Sequence, residues 1–599
     1  MILLLLPWSV SARGQSQVLL SPNILVSPDN SPQTEPIIAA DPIDERRLVG
    51  ASVVSGRANA GFACRVYSSD DGGYTWTSSS VPEQEKIGGA DPQTAFGIHG
   101  TAYFAAIAAG PLDEPNGVYF YRSEDGGRTW GKGLNLGGGD HEEIVVDSSV
   151  GKYAGRVYLA MERTVNQQLG IYVFRSDDDG RTFVGPVLAA HHQGLGVNAT
   201  NLQLFSDGSL FVPFVTFATD PRKSSNTRGL EFVISDDGGV TFSGPQHILD
   251  YHHPQHEQLY QEYKSGSVVQ YTFPEFAIGR SGGNFRDRLY MAWSDVEHGK
   301  ARVLFAFSTD RGQHWTPPRD MSASPALDSA AFQQAITVNK DGVVGLMWFE
   351  AQDRQQANSF DVYFAVSRDG GASFSHPVKI SSATSFPLHN ANLAPFAMSE
   401  KGKGSLSLYF LSPMNRWNGG GDYIGLVADA KGVFHPFWPD ARAGVYQIYT
   451  ARIDVTDADF ADPQRGAPIA TNLTSDIALV FDPVVYDSVS RDLELPVRIK
   501  NISQRTLYGP MSVELRSLTR AELSAAERED VGNVPEILNA ANGKRGPGAA
   551  FDYSRALGTA GALPPGSVSE AVQWKLRLPR PFFTSFYLDA IVNGFLAQK

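Results

Sequence analysis

The sequence predicts an all-β chain, a long array of repeated four-stranded sheets followed by a separate β domain. Three observations predict it. An octapeptide of the form Ser-x-Asp-x-Gly-x-Thr-aromatic recurs six times, starting at Ser69, Ser123, Ser176, Ser235, Ser308 and Ser367. Three stretches of alternating apolar and polar residues precede each copy, the pattern of half-buried strands. Among 599 residues, 59 Gly and 36 Pro supply turns, and 42% apolar residues are enough for several cores.

The octapeptide has the chemistry of a tight hairpin. The Asp (Asp71, Asp125, Asp178, Asp237, Asp310, Asp369) bonds turn amides, the Gly takes a positive φ, and the aromatic pins the turn to the layer beneath. The seventh position drifts from Thr to His314 and Ser373. In each repeat the first strand starts at Glu35, Asp91, Asp140, Asn201, Glu275 or Gln333. The second strands read RLVGASVV, GTAYFAAI, GRVYLAME, GSLFVPFV, DRLYMAWSD and GVVGLMWFE.

Over residues 17–455 these repeats resemble the Asp-box (BNR) repeat of the sialidase superfamily. The resemblance implies a sialidase-like β-propeller in which each box joins the third and fourth strands of a blade. It suggests six blades. A seventh unit without a box, at 419–455, supplies three strands, and SQVLLSPNILVS (16–27) is the expected fourth, closing the ring at its two ends. Seven blades are therefore expected, with six as the alternative.

The remaining segments are assigned by composition. Residues 1–15 resemble a signal peptide, with a leucine run and a small-residue cleavage site. The propeller spans 16–458 and a linker 459–475. Alternation at Leu493, Leu495, Val497 and Ile499 marks 476–599 as a β-sandwich of immunoglobulin-like type, with TRAELSAAERED (519–530) as an insert. The formal charge of −14 excludes nucleic acid and anionic membrane as partners, and no interior run is long enough to span a bilayer. Cys64 is the sole cysteine, so neither a disulfide within the chain nor a cysteine metal cluster exists. The expected setting is secreted, periplasmic or cell-surface, as a monomer.

Chemistry is expected at the mouth opposite the boxes, where strand-one starts and strand-two ends meet. Acids recur there: Asp91, Asp140, Glu142, Glu275 and Asp422, with His141. From strand-two ends come Arg163, Asp295, Glu350, Arg354, Asp440 and Arg442, three of the acids following a Trp by two residues. Clustered carboxyl groups split their pKa values into acid and base roles, as glycosidases require; the same pairs can brace blades or hold a divalent cation such as calcium. The sialidase resemblance implies an arginine triad, a Tyr nucleophile with its acid, and an Asp acid/base. Arg-Ile-Pro, the family's early arginine motif, is absent. Arg163, Arg354 and Arg442 are the candidate triad, Asp422, Tyr423, Glu142 and Glu275 the catalytic candidates, and the other mouth residues substrate-binding candidates. The loop YHHPQHE at 251–257 is a weaker metal candidate. Two functions follow: a secreted sialidase-like glycoside hydrolase of extracellular glycans, or a non-catalytic propeller that binds glycan or protein at the cell surface.

Overall fold

The computed structural model describes residues 17–27, 31–55, 62–108, 116–218, 227–252, 272–280, 283–297, 300–323, 329–351, 359–387, 394–399, 406–411, 420–443, 445–456, 468–520, 535–558, 561–578 and 586–597. The expected signal peptide lies outside them, as do residues 459–467 of the expected linker, Arg354 and most of the 251–257 loop; the rest of the expected linker is not a linker, since Pro468–Asn472 is a strand of the second unit. Contacts divide the chain into two units, one of Asn23–Ile453 and one of Met1–Pro22 with Asp454–Lys599.

Among the described residues, the first unit holds seven antiparallel sheets of the blade type, each four strands deep. Their first strands are Gln33–Ala40, Ala90–Phe96, Asp140–Val146, Leu195–Ala199 with Gln203–Leu204, Glu275–Ile278, Ala330–Val338 and Gly425–Ala428. Each of these strands packs against the next and the last against the first, so the sheets form a closed ring around one axis. The fold is a seven-bladed β-propeller, and the count of six suggested by the sialidase resemblance does not hold. A hairpin, Ala394–Ser399 with Leu406–Leu411, forms a separate sheet between the sixth and seventh blades.

Second strands lie between neighbouring blades and are buried on both faces. That is why LVGASVVS (Leu48–Ser55) and VGLMWFEA (Val344–Ala351) are buried throughout and read as nearly unbroken apolar runs. Trp293, Trp348 and Trp438 fill these inter-blade layers.

Closure joins the two ends of the repeat region within one sheet. Ile24–Leu25 is the outer strand of the seventh blade, with Ile24 opposite Thr450 and Leu25 opposite Tyr449. Val26 N–H then donates to Ile448 O (2.8 Å), and Gln33 N–H to Tyr446 O (2.9 Å). The strand is shorter than the expected 16–27, because Gln17–Leu20 belongs to the other unit. Val26 is 2% exposed against Ile38, Tyr67, Phe437 and Ile448.

All six octapeptides adopt one hydrogen-bond scheme. The Gly N–H donates to the Ser hydroxyl at 2.8–2.9 Å. That hydroxyl donates to the Asp Oδ1 at 2.7–2.9 Å, and the amide of position seven donates to the same oxygen. The Asp Oδ2 accepts from the side chain at position seven, whether Thr129 Oγ1, His314 Nδ1 or Ser373 Oγ. The drift at this position is therefore chemically neutral, since a donor is all it requires.

The second unit is a two-sheet sandwich. One sheet orders Pro468–Asn472, Phe586–Ala597, Leu507–Arg520 and Ala550–Asp552, and the other Ile477–Phe481, Asp492–Asn501, Val572–Arg577 and Glu536–Ile537. Phe551 of the first stacks on Trp574 of the second, with centroids 4.2 Å apart and rings 7° from parallel. Leu495, Val497 and Ile499 face the core they share. Thr519 and Arg520 of the expected insert continue the long strand, and the rest of the insert is outside the described residues.

Two outcomes follow from these contacts. Val26→Asp places an unpaired charge in the closing sheet and should lower stability by at least about 2 kcal/mol in a denaturant titration. An unchanged midpoint would show that the ring does not need this strand. Asp237→Ala strips a turn of its acceptor and should cost about 1–2 kcal/mol. The hydrogen bonds from Thr241, Ser235 and Val240 outweigh desolvation and hold Asp237 at about 2, below its ordinary 3.8, and Asp125, Asp178 and Asp310 are lowered likewise. Their stabilisation is complete above pH 3.8 and is lost as pH falls through about 2. The wild-type Tm should fall across this window, and Asp237→Asn should flatten the fall.

Candidate functional site

The site begins with a repeated irregularity in the backbone. In four blades the first strand carries one extra residue relative to its partner, between Thr34 and Ile37, Ala90 and Gln93, Asp140 and Glu143, and Phe332 and Ala335. The residue after the first of each pair is left-handed and is not Gly: Glu35 (φ 51), Asp91 (φ 54), His141 (φ 49) and Gln333 (φ 56). A bulge whose first residue is left-handed ordinarily has Gly there, and each such non-Gly residue costs on the order of 1 kcal/mol. The bulges lie at the start of the first strand, whereas the octapeptides join strands three and four, so antiparallel pairing places them at opposite ends of the blades.

The expected equivalence of Asp140 with Glu35 and Asp91 is one residue out. His141 holds the matching position. The extra residue also breaks alternation, so that His141, Glu142 and Glu143 in succession line one cavity with Asp91, Gln93, Asn201, Phe273, Glu275 and Tyr423. The cavity's enclosed volume is ≈ 10 Å³, about that of one water-sized occupant. Asp91 and Glu142 are its buried floor, 7% and 1% exposed, while Glu143, Glu275 and Asn201 are half-buried at its rim.

Crowding and burial act together on the carboxyl groups. Burial pushes Asp91 up to about 6, with Asp140 and Asp422 adding to the rise and His141 opposing it. Glu143 rises to about 8 through burial and then the charge on Asp91, and Glu162, opposite Asp140, rises to about 7 through burial and Asp140. Glu142 and Glu275 are pushed well above the carboxylate range by burial, and next by Asp91 and Glu143 respectively. For His141, burial alone favours the neutral ring, but Asp91, Asp140 and Asp422 outweigh it and raise the pKa.

The glycine runs flanking the acids have packing roles. Gly421 lies against Glu35, where a Cβ would meet the Glu35 N at 2.5 Å, and its carbonyl accepts from Gln333 Nε2 at 2.7 Å. A Cβ on Gly139 would meet Met161 Sδ at 2.2 Å.

Several expected site residues are engaged elsewhere. Tyr423 lines the cavity, yet its hydroxyl donates to Pro92 O (3.1 Å) and burial raises its pKa far above the ordinary value, which suits a brace rather than a nucleophile. Asp422 is half-buried next to it. Arg163 donates to Leu136 O (2.7 Å). Arg442 pairs with Asp440 (2.6 Å) and reaches Ser382 and Asn23. Neither Arg163 nor Arg442 lines the cavity, which corrects their expected place at its mouth, and Arg354 lies outside the described residues. The Trp-x-acid repeat is also structural: Asp440 accepts from Trp438 Nε1 (3.1 Å), and Glu350 from Ala323 N–H (2.8 Å) and Ser329 Oγ (2.7 Å). Asp295 accepts from His252 N–H (3.1 Å).

Sequence reasoning passed over Glu143, Asn198 and Phe273, and it placed Glu162 at this mouth without giving it a role. Strict alternation assigns Glu143 to the opposite face of its strand from Glu142, and only the bulge brings both inward. Phe273 packs edge-on against His141, 4.8 Å between centroids.

The fold and site together define a seven-bladed propeller with a carboxyl-lined axial cavity. The sequence matches no family model, and no curated protein matches it. Solved structures similar to the chain include a Hadza microbial sialidase (13% identity, TM-score 0.38, covering 65% of this chain and 72% of that one). A leech intramolecular trans-sialidase (11%, TM-score 0.38, 68% and 71%) and the α-L-arabinofuranosidase of Fusarium graminearum (11%, TM-score 0.35, 62% and 94%) are also similar. Likeness of this degree carries no functional weight, and the strand pairing itself defines the fold.

A raised acid pKa works against stability as pH rises. Glu143 binds its proton more tightly in the folded chain, so stability is full below about 4.5 and declines as pH rises through about 8. In chelator, Glu143→Gln should lessen the fall in Tm between about pH 6 and 9. Parallel curves for variant and wild type would show that the crowding is already relieved.

Proposed function

We propose that this propeller is a glycan-acting protein, a glycoside hydrolase working at the cavity rim. The observation that supports it is the convergence of Glu143 and Glu275, from different blades, at the edge of one cavity. Glycoside hydrolysis needs one carboxyl group that keeps its proton and another that has lost it. Glu275, raised by burial and then by the charge on Glu143, is the proton donor in this reading, and Glu143, itself raised to about 8, acts as the base once pH has risen through that value, so activity rises toward alkaline pH.

The substrate is a neutral sugar rather than a sialic acid. A carboxylated sugar needs a bidentate cation, and among the described residues the cavity wall has none. The octapeptides group the chain with Asp-box proteins of the sialidase superfamily, and with the leader-like start they support an extracellular glycan as target. The alternative is a propeller that binds glycan or a cell-surface protein without turnover. It is favoured by the small enclosed volume, which obliges any sugar ring to dock at the rim.

A panel of fluorogenic neutral glycosides tests the reading. Glu275→Gln should lower kcat by about 100-fold or more with Tm unchanged, the usual cost of losing a general acid. Equal activity in wild type and variant overturns the assignment, while binding to immobilised glycan without any turnover selects the alternative.

A further inference from the structure

The deep end of the cavity poses a question that the rim does not answer. Glu142 is 1% exposed, and neither carboxylate oxygen has a hydrogen-bond partner from another described residue. Ionised carboxylates of this kind are found paired or on a metal. Beside it, one ligand atom each from Asp91, Asp140 and His141 lie within 4.8 Å of one another. Atoms sharing a centre at roughly 2.0–2.6 Å show such separations. With the Asn198 amide oriented to satisfy both its ends, His141 Nε2–H donates to Asn198 Oδ1 (2.9 Å), and Asn198 donates to Glu162 Oε2 (2.5 Å). This relay fixes the imidazole and leaves Nδ1 as the lone-pair nitrogen of the neutral ring, the second-layer arrangement typical of metal-bound histidine.

We propose that this end of the cavity is a divalent-cation site, with Asp91, Asp140 and His141 as ligands and Glu142 as the buried, unpartnered carboxyl group beside it whose charge the ion offsets. The available volume, ≈ 10 Å³, has room for one ion. The donor set decides between metals. Calcium and magnesium prefer all-oxygen shells, whereas an imidazole among carboxylates favours manganese or zinc. The calcium expected from the acids alone is therefore replaced by this class. The strained bulges at Asp91 and His141 place ligands from two blades around the ion. This inference is independent of the glycan reading.

The test uses the full chain stripped with EDTA and titrated separately with Mn²⁺, Zn²⁺ and Ca²⁺. The expected result is one Mn²⁺ or Zn²⁺ per chain and a Tm raised by about 5 °C at saturation, the size of shift that tight single-site linkage produces. Glu142→Gln and His141→Gln should weaken binding at least about 10-fold and lose the shift, with a Tm in EDTA equal to or above that of wild type. If either fails to fold, Asp140→Asn, at an exposed position, serves in its place. Absence of saturable Mn²⁺ or Zn²⁺ binding overturns the proposal, as does wild-type affinity in the variants. Loss of binding on replacing His252 and His253 instead would place the metal in the loop and overturn it too. Tighter binding of Ca²⁺ than of Mn²⁺ and Zn²⁺ would overturn the choice of metal class. Each result is read without substrate and so leaves the glycosidase reading to its own assay.

Discussion

Seven sheets arranged about one axis must bring seven strand ends to the rim of one central channel, and that convergence governs the rest of the molecule. A side chain at the start of a first strand meets its counterparts from other blades whether or not it has favourable contacts to make there. Apolar residues would close the axis as a core. Here the converging groups are Asp91, His141, Glu142, Glu143, Glu275 and Tyr423. The array that builds the ring elsewhere uses buried valine, leucine and tryptophan, so the packing of blades does not account for the acids.

The bulge turns convergence into a site. A regular strand would alternate its residues and present every second one to the axis. One extra residue lets His141, Glu142 and Glu143 all reach the cavity, at the cost of a left-handed non-glycine backbone. The same device at Glu35, Asp91 and Gln333 makes it a recurrent feature of this end of the propeller, present in four of its seven blades. Strain of this kind persists only where the surroundings fix it. Gly421 contributes that fixation by letting the seventh blade approach Glu35 closely and by accepting from Gln333.

Much of the architecture was legible in the sequence, because it rests on local chemistry. The octapeptide needs only a Ser, an Asp, a Gly and a donor within eight residues, and six copies reveal the repeat length. The ring's closure was legible too, though the closing strand is only Ile24–Leu25 and not the whole of 16–27. The face bearing the acids followed from strand direction. The positions within it did not, because a bulge shifts register by one residue and leaves no fixed signature when its left-handed residue is Glu, Asp, His or Gln instead of Gly. Arg442 misled for a different reason: Asp440 is close to it in sequence, and their pairing with each other competes with any role at the axis.

Identical residue types at this face therefore separate by the donors they receive. Glu350 accepts from Ala323 N–H and Ser329 Oγ, and Asp440 from Trp438 Nε1, Arg442 N–H and the Arg442 guanidinium. Donors of that number satisfy an ionised carboxylate and fix it in place. Glu142 receives none from another described residue, and its neighbours Asp91 and Glu143 add like charge. Such a group must stay protonated or find a cation, and either state is one that an added ligand or a change of pH can alter. Acids supplied with donors brace the blades, whereas acids crowded without them remain responsive, and in this chain the second kind is concentrated at the bulged starts of the inner strands.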